Sequence, residues 1–400
     1  LVRVTWNDNQ ITSVEKAASA AECTADMPWL GPGLFDIQVN GYHGLWFGSE
    51  TLTVDDVRQT ILELAAQGIA ECFPTLVTNS NEAIEHGMRT VSRACEVDST
   101  VAAIVRGIHL EGPWISSEDG PRGAHPREHV RSPNHDEWNR WQRAASGRIR
   151  LVTLAPEVPG ALDFIPALVN QGVVVSIGHT AANGDQIRQA ADRGARLSTH
   201  LGNGAAGMMP RHPNLLWEQL AEDRLWASVI SDGWHLPQAT LQCMLRCKTL
   251  TRMVITCDVS GFGGCAPGEY REGGLAAEVL EDGRIVSAGQ RQYLAGSGAT
   301  TGECVIRMAE MTGISLEQAW GLASRQPHLL FAESANQMDV GSPATLTLFG
   351  LTKSDEPAAT PTVENDNAAC GVRLSGNSRF IPIATVVNGC LVAGTLTSVQ

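Results

Sequence analysis

Positive charge is scarce in this chain. Its 29 Lys and Arg face 43 Asp and Glu, a formal charge of −14, which speaks against nucleic acid or an anionic membrane as the main partner. Charged residues of either sign reach only 18%, short of the roughly 25% of ordinary soluble domains, and this points to much buried or oligomeric surface. No apolar run approaches the roughly 18 residues that cross a bilayer. The start, Leu1-Val2-Arg3-Val4-Thr5-Trp6, lacks the charged-then-apolar order of a signal segment. A disulfide scaffold is excluded as well, because the ten cysteines are scattered and no Cys-x-x-Cys occurs. The expectation is a cytoplasmic protein whose reduced thiols pack as small hydrophobes.

What is present is apolar residue, 43% of a 400-residue chain, enough for a sizeable core. The centre repeats one pattern, a short apolar or β-branched run followed by an amphipathic helical stretch. The runs lie at 34–39, 70–75, 103–110, 149–154, 173–177, 197–199, 226–230 and 253–256. Helical stretches follow at 53–66, 79–95, 183–193 and 237–247, and Gly68, Gly172 and Gly194 stand where helices prefer to end. Eight strand–helix units predict a closed parallel (β/α)8 barrel of the α/β class. A doubly wound sheet is the alternative, but no Gly-x-Gly-x-x-Gly follows the first strand.

The flanks read as β. Residues 1–33 show no helical period, and strand-like pieces recur at 344–349, 372–374, 383–387 and 391–392, with Asn388-Gly389 as a hairpin turn. A small β-domain built from 1–33 and 341–400 is therefore expected beside a barrel spanning 34–340. Segments 302–311 and 316–324 are assigned to the barrel's outer helices, and 353–367 reads as an exposed loop.

In a barrel, the C-terminal ends of the strands converge on one mouth. Read in order, those ends carry Gln38 and Asn40, Thr75 and Thr78, His109 and Glu111, Glu157, His179, His200, Asp232 with His235, and Asp258. Gly112-Pro113 stops the strand after Glu111 and exposes its carboxylate. Glu111, His179 and His200, with a fourth position left to water, form the ligand set of a catalytic rather than a structural zinc site. Any one strand-end His is more simply a hydrogen-bonded structural residue, and His109, one pleat deeper, is read that way. Asp258 would suit proton transfer at a metal-activated water, or would merely cap the turn before Ser260-Gly261.

At this point the residues resemble a family. The segments PGLFDIQVNG (32–41), HLEGPW (109–114), Gly123-Ala124-His125, TLAPE (153–157), Gly178-His179, Thr199-His200, Arg211-His212-Pro213, SDGWH (231–235) and LAGS (294–297) are similar as a set to the N-acetylglucosamine-6-phosphate deacetylases. These are metal-dependent amidohydrolases with a small β-sandwich beside the barrel. The resemblance implies that Glu111, His179 and His200 hold one divalent metal ion, and that Asp258 is the general acid/base. It also implies that His125 polarises the acetyl carbonyl, that His235 contacts sugar hydroxyls, and that Arg211 with the backbone at Asn203-Gly204 holds the phosphate. The reaction would be hydrolysis of the acetamide by metal-bound water, giving glucosamine 6-phosphate and acetate. Zinc suits the donors, and iron or manganese fit them too.

Gln38-Val39-Asn40 stands where superfamily members often carry His-x-His, so one metal rather than two is expected. A homodimer is implied, with a small-molecule amino sugar as partner and neither nucleic acid nor membrane. Two departures stand out: Leu201-Gly202-Asn203-Gly204 after His200, where the family carries Asn-Ala, and a longer acidic loop at 115–122, read as a solvated turn. The rivals are a same-scaffold enzyme acting on a different or unphosphorylated N-acyl sugar, and a non-catalytic sugar-phosphate sensor.

Overall fold

A computed structural model describes residues 2–16, 27–272, 275–334, 337–353, 372–374 and 376–396. Eight parallel strands form one sheet in chain order: β1 (Leu34–Val39), β2 (Ile69–Val77), β3 (Ile108–Glu111), β4 (Ile149–Leu154), β5 (Val174–Ile177), β6 (Leu197–Ser198), β7 (Trp226–Val229) and β8 (Met253–Ile255). The third run starts later than its composition suggests, because 103 and 104 complete the helix Ser99–Ile104, capped by Asp98. The expected helices form with local start signals: Thr53 and Asn183 each make a reciprocal capping box, and Gly68, Gly172 and Gly194 close helices at positive φ.

The closure between β8 and β1 is not an ordinary ladder. Val39 bridges to Val259 beyond the end of β8, and Asn40 N–H donates to Val259 O at 2.9 Å. Thr256 Oγ1 also donates to Gln38 O at 3.3 Å, and the other contacts of the seam converge on one side chain. Asp36, fully buried within an apolar strand, accepts from Gln38 N (2.9 Å), Thr256 Oγ1 (2.5 Å), Cys257 N (2.8 Å) and Thr301 Oγ1 (2.6 Å). These contacts tie β1, β8 and the helix Thr301–Thr312 together.

The barrel is filled in layers. Phe35, Ile37, Phe73, Leu151, Val174, Leu197, Trp226 and Val254 plug the floor with Leu330 and Phe331. Two residues further along the strands the interior turns polar. His109 Nε2 lies 2.8 Å from Thr153 Oγ1, and Thr153 Oγ1 lies 2.7 Å from Thr199 Oγ1. This is the supporting role expected for His109, and burial lowers its pKa to about 4, so the ring is neutral. The mouth residues stand on that layer.

Beneath the floor, Glu333 pairs with Arg150 Nη1 (2.6 Å), Arg106 Nη2 (3.1 Å) and His328 Nδ1 (3.2 Å). His328 Nε2 lies 2.9 Å from Glu71 Oε2, out of line for a hydrogen bond. Burial opposes charge on His328, but Glu333 and Glu71 outweigh it and raise its pKa from 6.5 to about 9. A raised value stabilises the fold fully below pH 6.5 and is lost as pH climbs through about 9. His328, Arg150 and Arg106 together hold Glu333 well below the usual carboxylate range, so its contribution is present above about pH 4.5 and fails only in acid. We expect this cluster's contribution to folding stability to be level between about pH 4.5 and 6.5 and to fall by about 3 kcal/mol towards pH 10. His328→Gln should flatten that alkaline decline in urea titrations, and an unchanged slope would place the titration elsewhere.

Both chain ends meet in antiparallel sheets. Trp29–Pro32 pairs with Leu346–Lys353, which pairs with Ser378–Val387 and then Cys390–Gly394. The hairpin Val2–Asn7/Gln10–Lys16 shares with them a core of Ile11, Ala344, Leu346 and Val386. Asn388 and Gly389 both take positive φ in the hairpin turn. Segment 372–374 is not a strand, and the loop expected at 353–367 lies, beyond its first residue, outside the described residues. One element was not expected: residues 268–294 carry a separate four-stranded antiparallel sheet after β8. The thiols also differ in part from expectation. Cys72, Cys95, Cys257 and Cys304 are buried, but Cys243, Cys247 and Cys390 are exposed. No described helix is long and apolar enough to cross a membrane.

Candidate functional site

Glu111 is the last residue of β3, and the chain must turn at once: Gly112 has φ +76°, and a Cβ there would lie 2.1 Å from Thr78 Oγ1. His179, His200 and Asp258 follow β5, β6 and β8 with φ of 49°, 28° and 50°. Left-handed backbone costs a non-glycine residue about 1–3 kcal/mol and persists only where neighbours hold it. Here they do. Glu157 accepts from Ala181 N at 2.6 Å and from Thr180 Oγ1, immediately after His179. His200 N donates to Ser228 Oγ at 2.8 Å, and Asp258 O accepts from Ser297 N at 3.1 Å.

Three ligand-type atoms converge. Glu111 Oε1 lies 2.9 Å from His200 Nε2 and 3.2 Å from His179 Nε2, and the two ring nitrogens are 3.2 Å apart. His179 Nδ1 is 2.9 Å from Pro121 O. A carbonyl only accepts, so Nδ1 carries a proton, and Nε2 is the ring atom left to face a cation. The spacing matches the roughly 3.3 Å edge of a tetrahedron with bonds near 2.0–2.1 Å. These residues therefore fit a divalent cation, and the triplet is the one such group of His, Cys, Asp or Glu among the described residues. Burial opposes ionisation of Glu111, yet the two imidazoles hold it well below the usual carboxylate range.

His125 stands beside the triplet but outside it, with Nε2 3.2 Å from His179 Nε2 and 4.0 Å from Glu111 Oε2. Its Nδ1 meets Thr78 Oγ1 at 2.8 Å. Burial, then His179, push its pKa down to about 3, so the ring is neutral. Asp258 is raised to about 6 by burial and by the charge of Glu111. Asn40 Nδ2 donates to its Oδ1 at 2.7 Å, which gives the Gln38-Val39-Asn40 segment a task other than holding metal. From Asp258 a chain of contacts runs outward: Ser297 Oγ donates to Asp232 Oδ2 at 3.3 Å, and Asp232 Oδ2 lies 2.7 Å from His235 Nδ1.

The remaining expected residues sit on the 201–214 loop. Asn203 N–H already donates to His200 O at 2.9 Å. Gly204, at φ +56°, packs so closely on His179 that a Cβ would fall 2.7 Å from Nδ1. Arg211 is exposed and, among the described residues, pairs with no carboxylate. Segment 115–122 is more than a solvated turn. Its tip at 117–120 is exposed, but Ser116 and Pro121 are buried against His179. Sequence reasoning passed over Asp36, Ser228 and Arg122. Of these only Asp36 carries a signal, a lone charge inside an apolar strand.

No protein-family model matches the chain. It is 32% identical to the N-acetylglucosamine-6-phosphate deacetylase of Bos taurus, over 80% of this chain and 79% of that protein. It is 30% identical to the N-acetylgalactosamine-6-phosphate deacetylase of Shewanella sp. (strain ANA-3), over 78% of each. A mutant N-acetyl-D-glucosamine-6-phosphate deacetylase from Mycobacterium smegmatis, solved in complex with N-acetyl-D-glucosamine-6-phosphate, superposes with a TM-score of 0.80 at 27% identity, covering 96% of this chain and 93% of that one. The chain belongs to the N-acetylglucosamine-6-phosphate deacetylase family of the amidohydrolase superfamily.

Proposed function

We propose that this chain hydrolyses the acetamide of N-acetylglucosamine 6-phosphate to glucosamine 6-phosphate and acetate. The observation that carries this reading is the convergence of Glu111, His179 and His200 on one point, with the buried carboxyl of Asp258 close enough to feel their charge. The triplet would hold one divalent ion, with zinc favoured by its donors and iron or manganese also accommodated. When bound, that ion supplies Lewis acidity, lowering the pKa of a water and polarising the amide carbonyl.

The protein supplies the rest. Asp258 takes the proton of the attacking water and returns it to the departing amine. With Thr78 Oγ1 as the donor to His125 Nδ1, the neutral ring carries its proton on Nε2, which would point into the site and stabilise the developing oxyanion. His235 spends Nδ1 on Asp232, leaving Nε2 for a sugar hydroxyl. Arg211 has an uncommitted guanidinium for the phosphate, and because Asn203 N–H is engaged, Gly204 N–H is the backbone donor left beside it. We also read the chain as a cytoplasmic homodimer. Unpaired cysteines and the exposed Met208, Trp217 and Trp234 support that reading. The same reading divides the chain into a barrel of 34–340 and a small domain of 1–33 with 341–400.

A second reading, the 4-epimeric N-acetylgalactosamine 6-phosphate, is favoured by relatives of both names at similar identity and by the unusual 201–204 segment. Acetate release from both N-acetylhexosamines, each with and without the 6-phosphate, tests the choice if metal content is measured on the same sample. We expect turnover only of phosphorylated sugars. Arg211→Ala should raise KM for them by about 10- to 100-fold, the loss of one charge-assisted pair. An unaffected KM would remove Arg211 from the phosphate site and favour an unphosphorylated substrate.

A further inference from the structure

The strap between β3 and the following helix carries His125, yet it is fastened by a residue the mechanism does not use. Ser116 N donates to His179 O at 2.9 Å, and Pro121 O accepts from His179 Nδ1 at 2.9 Å. Gly123, at φ +59°, lies against the His179 ring, where a Cβ would approach Cε1 to 3.2 Å, and Gly204 presses on the same ring. The strap thus grips one member of the triplet with its middle and delivers His125 with its end.

Arg122 closes this strap. Its Nη1 donates to His125 O at 2.6 Å and its Nη2 to Asp119 Oδ1 at 2.6 Å. Its own N–H donates to Glu118 O at 3.0 Å, and its carbonyl accepts from His125 N at 3.3 Å. Nε is enclosed without a partner. The side chain is 20% exposed, against 78% for Asp119. A guanidinium spent on two loop acceptors in this way is a clasp and not a waiting phosphate ligand. A planar fork suits the task, because it reaches a carbonyl and a carboxylate at once.

We infer that Arg122 is a positioning residue of the site: it locks the 116–125 strap so that Pro121 O orients His179 while His125 is held at the acyl carbonyl. This role rests on the deacetylase reading for His125, but its effect on His179 stands without any substrate. Supports of this kind around metal-binding histidines are worth about 10- to 100-fold in metal affinity or activity.

The test uses the zinc-loaded full chain as wild type, Arg122→Ala and Arg122→Lys, with folding checked by circular dichroism. Two readouts are taken: the rate at which a chelator strips zinc, and kcat and KM with the phosphorylated sugar that wild type turns over. Arg122→Ala should lose zinc about 10-fold faster or more and lose kcat by a similar factor with KM little changed. Arg122→Lys, which reaches one acceptor but not both, should fall between, and it decides the matter if the alanine variant does not fold. Wild-type zinc retention in these variants would overturn the inference. So would a KM rise confined to phosphorylated sugars with kcat intact, which would make Arg122 a phosphate ligand. Wild type that holds zinc but turns over no N-acetylhexosamine 6-phosphate would defeat the deacetylase reading, while zinc release would still decide Arg122. Wild type that holds no zinc overturns both.

Discussion

Asp258→Asn should reduce kcat by about 10²- to 10⁴-fold, the usual contribution of a positioned general acid–base group, while zinc content stays near that of wild type. The reason is chemical rather than structural. An amide has the shape of a carboxyl and could still meet Asn40, but it cannot accept a proton from water and hand it to an amine. Asp258 is suited to that exchange by its surroundings: burial and the charge of Glu111 raise it to about 6, and a cation at the triplet would pull it back down. Metal should remain because Asp258 is not one of the three converging residues. Near-full activity in this variant would remove Asp258 from the proton path. Lost metal would instead make it a ligand.

Asp36→Ala should be the most destabilising single change in the barrel, costing about 4 kcal/mol or more. The carboxylate accepts from four donors, two of them backbone N–H groups and two threonine hydroxyls. All are buried, so removing their acceptor leaves each donor with a desolvation cost of about 1–3 kcal/mol unless it finds a new partner. The site should suffer too, because Asn40 and Asp258 leave the seam on either side of Asp36's contacts. Urea denaturation of the metal-free protein measures the loss, and Asp36→Asn, which keeps the shape, should lose less. A cost below about 1 kcal/mol would mean that water or repacking replaces the carboxylate, and that the closure is held by the bridge at Val39 and Val259.

Glu111 illustrates what a sequence makes plain. An apolar strand, one carboxylate and then Gly-Pro can only end a strand with that side chain displayed, and the structure places it there. His109 was legible for the same reason, since counting in twos sets it one layer below the mouth. Arg122 was not legible. Its position in an acidic, glycine-containing loop reads as solvent-exposed, and although its own contacts are local, what they position, Pro121 O against His179, joins residues more than fifty apart. The sheet at 268–294 was missed because strands such as Gln290–Leu294 are polar and largely exposed, so no apolar alternation marks them.

By itself the sequence determined the local events: eight runs that read as parallel strands between helices, the caps and glycines that start and stop those helices, and the residues displayed at strand ends. These follow from periodicity and side-chain chemistry within a few residues. Only the tertiary structure decided how the barrel closes and how the site is held. The Asp36 seam, the left-handed backbones at His179, His200 and Asp258, and the strap across His179 all join residues distant in the chain. Their positions are set by which groups must share a buried hydrogen bond, and that becomes definite only when the whole barrel packs.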